Sequence, residues 1–167
     1  MISKDYCRVL ASYNAWMNRR LYAVCAEITD EDRKADRGAF FGSIHSTLNH
    51  ILYADLAFLS RFTGDPTDPP PLGVDLYDDF DELSTVRQAV DARISDWVLT
   101  LSDDWKADDL SYVSLVDGVR RTMPRWVVLT HMLNHQTHHR GQITTLLSQM
   151  GLDIGPTDIV FMPEFQQ

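Results

Sequence analysis

Four of the six histidines fall within nine residues, as His131, His135, His138 and His139. Imidazole is a common neutral ligand for divalent transition ions, and two imidazoles four residues apart on a helix lie about 40° and 6 Å apart, close enough to share one ion. His135 and His139 have that spacing. His131 and His139 differ by about 80° and 12 Å, so the whole i, i+4, i+8 series does not fit a single ion. A lone buried histidine is more often a hydrogen-bonded core residue than a ligand, and that reading holds for His45, His131 and His138 taken singly. Two inward imidazoles at chelating spacing are different, because desolvating both without a partner is costly and a metal supplies the partner. Val128, Met132, Ile143, Leu146 and Leu147 flank His135 and His139 at helical spacing, which turns both rings inward. His138 faces Asn134, Thr145 and Gln149, a polar flank.

A third ligand has to come from another helix, where His45 and His50 are available. His50 shares its stripe with Thr47, Ala54, Ala57 and Phe58, and the small residues leave room for an ion. The expected metal ligands are therefore His50, His135 and His139. Three neutral imidazoles leave the ion its charge and an open position, whereas structural zinc sites are closed by four protein ligands, usually including Cys. Such an ion acidifies a bound water or thiol to give hydroxide or thiolate near neutral pH. No Glu follows His135, which excludes the His-Glu-x-x-His peptidase pattern. The last helix contains no Glu, which argues against a di-iron bundle site. Gln142 and Asn49 are placed to orient imidazoles or bound water, and Asp158 to accept an imidazole proton if the tail folds over the site. Tyr13 and Trp16 read as core at helical spacing.

Four long amphipathic segments must carry these residues. Apolar positions from Tyr6 through Val9, Leu10, Tyr13, Trp16, Met17, Leu21, Val24 and Ile28 predict the first helix. Ser43 is an N-cap for a second helix running to about Phe62. The stretch from Thr63 to Gly73, with Pro66, Pro69, Pro70 and Pro71, cannot continue a helix and has the length of a crossover between bundle helices. A third helix starts near Asp78 and carries Phe80 through Leu101. Runs from Leu110 to Val116 and from Val119 to Met123, joined by Asp117-Gly118, predict a hairpin closed by a type I′ turn. Pro124 opens the fourth helix, which ends at Gly151. The expectation is an all-α, antiparallel four-helix bundle with one long crossover and a short β-hairpin before the last helix.

The 167-residue length suits one domain over residues 1–167, and 44% hydrophobic with 23% charged residues is globular composition. A net charge of -9 disfavours contact with phosphate backbones, so no nucleic-acid partner is expected. Cys7 and Cys25 lie about 27 Å apart on one straight helix and cannot pair there. With neither a signal-like N-terminus nor a bilayer-length apolar run, a cytoplasmic location and no membrane partner are expected.

Residues 131 to 142, ending His138-His139-Arg140-Gly141-Gln142, resemble the signature of the DinB/YfiT-like family of metalloenzymes. Tyr13-Asn14-Ala15-Trp16-Met17-Asn18, the run from Phe40 to His50, and Thr157-Asp158 also resemble it, so the likeness covers most of the chain. The resemblance implies a four-helix bundle, often a homodimer, with nickel or zinc on His50, His135 and His139. Relatives in that superfamily use low-molecular-weight thiols, which makes such a thiol a candidate cofactor here. The expected function is metal-dependent activation of water or a thiol for transfer to a small molecule. The rival from another class is a non-catalytic protein in which the metal merely ties helices together, or a stress-response protein holding a small ligand.

Overall fold

The computed structural model describes residues 2–65 and 70–166. Its elements are α1 (Lys4–Ala26), α2 (Asp30–Lys34), α3 (Ile44–Thr63), α4 (Phe80–Val98), α5 (Asp103–Ala107), β1 (Asp109–Val113), β2 (Arg120–Pro124) and α6 (Arg125–Gln149), followed by two short 3-10 turns. The helices α1 to α5 start where side chains satisfy the free N–H groups of a first turn: Ser3, Thr29, Ser43, Asp79 and Ser102 each accept from a backbone N–H three residues on, whereas α6 follows Pro124 with no side-chain cap. Among the described residues no helix is long and apolar enough to cross a membrane.

The fold is an all-α bundle with a small hairpin. Packing places α1 against α4 and α6, and α3 against the same two helices. Tyr22, near the end of α1, stacks on Phe80, at the start of α4, so these helices run in opposite directions. His50 of α3 meets His135 and His139 while Phe58 meets His131, so α3 and α6 are also opposed. By contrast α3 and α4 run the same way. His45 and Asn49 at the start of α3 bond to the Tyr77 carbonyl just before α4, and Phe62 stacks on Trp97 at the far end. The connection between them must therefore return along the length of the bundle, which makes it the long crossover. Of that link, residues 66–69, including Pro66 and Pro69, lie outside the described residues.

The hairpin differs from expectation at its turn. Its ladder pairs Val113 with Arg120, which leaves residues 114–119 as a six-residue loop. A type I′ turn needs positive φ at both central residues, and here only Gly118 has it, at 68°. The Asp117 carboxylate instead accepts from the Val119 N–H and from Arg121, holding a wider loop. Leu115 and Val116 are thereby diverted from strand pairing to the wall of a cavity beside α3.

The unexpected elements are short. In α2, Arg33 donates to the Cys25 and Ile28 carbonyls and covers the Phe80 ring, closing the end of α1. In α5, Trp105 packs edge-on against Phe62 and Trp97, which anchors the hairpin to α3 and α4. Five-residue helices lie below the length at which apolar periodicity can be read.

Candidate metal centre

The three expected residues converge. His50 Nε2 lies 3.1 Å from His135 Nε2, which lies 3.0 Å from His139 Nε2. Together they form a group whose ligand atoms all fall within 4.8 Å of one another, and no fourth His, Cys, Asp or Glu among the described residues joins it. Nitrogen ligands at about 2.0–2.1 Å around a tetrahedral ion would be separated by about 3.3 Å, so this donor set fits a transition ion with slight spreading of the rings. It also matches such an ion in kind, being three borderline nitrogen donors.

Local packing explains the convergence. Ser43 caps α3 by accepting from the Ser46 N–H at 3.0 Å, which sets the helix phase two turns before His50. The ring of Phe41 stacks on His50 with centroids 3.9 Å apart and flanks His139 at 5.5 Å, covering one side of the cluster. The His139 Nδ1–H donates to Gln142 Oε1 at 2.8 Å, leaving the Nε2 lone pair free. Burial, reinforced by repulsion from neighbouring rings, pushes His50 down to about 4 and His135 down to about 3. His139 is also lowered by burial, with the Gln142 hydrogen bond opposing the shift. All three are neutral at pH 7, as ligation requires.

A cavity of about 180 Å³ opens on His50 and His135, walled by Ala54, Ala57, Phe58, Tyr112 and Leu115. Ala54 and Ala57 thus provide the space expected of small residues on this stripe. A second, wider cavity of about 460 Å³ reaches His50 from the side of Phe41, Leu72 and Asp75. The Cys7 and Cys25 thiols are free, buried in α1 and raised by burial, Cys25 to about 12, and neither lines these cavities.

Comparison with known proteins agrees with this fold. The DinB family model matches residues 1–167. The chain belongs to the DinB family. Protein DinB of Bacillus subtilis (strain 168) is 27% identical over 158 residues, covering 92% of this chain and 91% of that protein. A DinB-like protein from Bacillus cereus ATCC 10987 superposes with a TM-score of 0.66 at 21% identity, over 86% of this chain and 90% of that one. YfiT from Bacillus subtilis, described as a probable metal-dependent hydrolase with an unusual four-helix bundle topology, gives 0.65 at 16% identity over 92% of each chain.

The remaining polar candidates of this DinB chain divide. His45 is buried with Nε2 2.8 Å from the Tyr77 carbonyl, so it pins the crossover. Asn49 does the same: its Oδ1 accepts from the Leu76 and Tyr77 N–H groups, and it makes no hydrogen bond to an imidazole among the described residues. Asp158 makes no hydrogen bond to an imidazole among the described residues and precedes a 3-10 turn without capping it. The tail turns away to α1, where Tyr13 donates to the Thr157 carbonyl at 2.6 Å and Arg20 to the Ile154 and Pro156 carbonyls. His138 is exposed beside Gln142, while His131 lines the cavity next to Phe58.

Sequence reasoning passed over a buried polar network behind the DinB site. Arg87 donates to Asp55 at 2.5 Å and to Asp91 at 2.7 Å. Gln136 donates to Asp55, and Asn18 donates to Asp91 and Gln136. Arg140 donates to Gln136 at 2.9 Å and to Asn14 at 2.7 Å. Gln136 and Arg140 each directly follow a histidine of the cluster, so the network fixes the rotation of α6 about its axis. The visible signal was three polar i, i+4 pairs inside otherwise apolar stripes: Asn14/Asn18, Arg87/Asp91 and Gln136/Arg140.

Proposed function

We propose that this DinB-family chain is a metal-dependent enzyme that activates water or a low-molecular-weight thiol for attack on a small electrophile. The supporting observation is the convergence of His50, His135 and His139 at the mouth of a cavity with no fourth protein ligand among the described residues. A structural tie between helices would be closed by a fourth donor. When bound, a divalent ion, nickel or zinc in this reading, supplies Lewis acidity that lowers the pKa of a water or thiol.

The chain's own residues do the rest. The three neutral rings hold the ion, Gln142 fixes the His139 tautomer, and Phe41 excludes water from one side. The nucleophilic thiol, if used, comes from a cosubstrate, because both cysteines are buried elsewhere. The hydrolytic alternative accords with the description of YfiT. Cytoplasmic residence and homodimer assembly, with no nucleic-acid or membrane partner, complete the proposal.

Elemental analysis of untagged protein tests it, with about one nickel or zinc per chain in the wild type and none in His135→Ala. Loss of metal in His50→Ala without loss of a thiol-consuming or hydrolytic activity seen in the wild type would refute the catalytic reading.

A further inference from the structure

His50 and Arg61 stand eleven residues apart on α3, three turns plus about 20°, and so share one stripe with Ala54, Ala57 and Phe58. Helical side chains lean toward the N-terminus, which carries the Arg61 guanidinium back along the cavity toward the histidines. There it is held over two rings, 4.6 Å from the Tyr112 centroid on β1 and 5.0 Å from Phe58. A long contact to the Val113 carbonyl, at 3.5 Å, is its one hydrogen bond among the described residues.

This cation has no carboxylate partner among the described residues, although the chain holds 24 acidic residues. Arg87, Arg93 and Arg121 each hold an Asp, at 2.5, 2.6 and 2.6 Å. Arg61 is instead half-buried, and burial lowers its pKa from the usual value. A partly desolvated guanidinium on the wall of a cavity, with no carboxylate on it, is a preformed seat for a planar anion. The walls are mostly apolar, with Tyr53, Ser114 and His131 as further polar members, and no second Lys or Arg lines them among the described residues.

We propose that this cavity binds an organic monocarboxylate, its carboxylate on Arg61, its apolar body along Ala57, Phe58, Leu72 and Leu115, and its reacting end at His50 and His135. One cation matches a monoanion, whereas a phosphate monoester dianion would call for further donors. The assignment of the reacting end rests on the metal-dependent reading above; the anion seat does not.

Zinc-loaded wild type and Arg61→Gln, with zinc content measured in both, are titrated by calorimetry with 6-mercaptohexanoate and the uncharged 6-mercapto-1-hexanol. The acid should bind wild type at least ten-fold more tightly than the alcohol, and Arg61→Gln should abolish that preference without changing alcohol affinity or zinc content. Equal binding of acid and alcohol by the wild type, or a preference that survives the substitution, overturns the proposal. If Arg61→Gln does not fold, the wild-type comparison decides by itself. If the wild type holds no zinc, the metal reading fails separately, and hexanoate against 1-hexanol on the metal-free protein decides the anion seat by the same criterion. Hexyl phosphate binding ten-fold more tightly than hexanoate overturns the choice of a carboxylate.

Discussion

An imidazole packed against two others stays neutral because protonation would place a charge where water is scarce and repulsion strong. Burial holds His50 and His135 at about 4 and about 3, below the ordinary imidazole value of 6.5. The ligating, unprotonated form therefore persists to lower pH than in an exposed chelate. Zinc or nickel occupancy should hold from pH 7 to about 5 and fall toward pH 4, measured by metal analysis after equilibration; half-release near pH 6.5 would contradict the shifts. Gln142→Leu removes the acceptor for His139 Nδ1–H and should weaken metal affinity by about 10–100-fold with the fold retained, as read by competition with a chromophoric chelator.

At the scale of elements, α6 is held by charge and amide pairing as well as by apolar packing. Arg87 sits between Asp55 and Asp91, and all three side chains are almost fully excluded from solvent. Deleting one member of a buried ion pair leaves uncompensated charge, so Arg87→Met should cost about 3–5 kcal/mol in urea unfolding. Under conditions where the variant is still folded, metal affinity should fall as well, because Gln136 is bonded to Asp55 and adjoins His135. A loss below about 1 kcal/mol would show that the network does not hold the four helices together.

At the scale of the whole molecule, the metal would join α3 to α6, which sequence separates by the crossover, α4 and the hairpin. A ligand that binds only the folded state stabilises it by about 2.7 kcal/mol at a hundred-fold excess over Kd. Chelation should accordingly lower Tm and the urea midpoint in wild type and change neither in His135→Ala. Exposed apolar side chains at Phe40, Val116, Val160 and Phe161 offer surface for the proposed homodimer. Sedimentation should then report about twice the 19.1 kDa chain mass.

The sequence by itself determined the four long helices, the crossover and the i, i+4 pairing of His135 with His139. Helical periodicity and i, i+4 spacing are local properties, and a proline run breaks a helix wherever it packs. Only tertiary structure decided that His50 meets that pair, that His45 and Asn49 secure the crossover and that Asp158 bonds no imidazole among the described residues, since each depends on which distant group comes within reach. The same holds for the buried network. Its polar i, i+4 pairs are readable along the chain, but whether Arg87 meets two aspartates or water depends on how four helices rotate against one another. The Asp117-Gly118 turn shows the limit from the other side: a local preference for a tight hairpin yielded to the Asp117–Arg121 pairing within the loop and to the placement of Leu115 on the cavity wall, a contact that exists only once α3 and the hairpin have met.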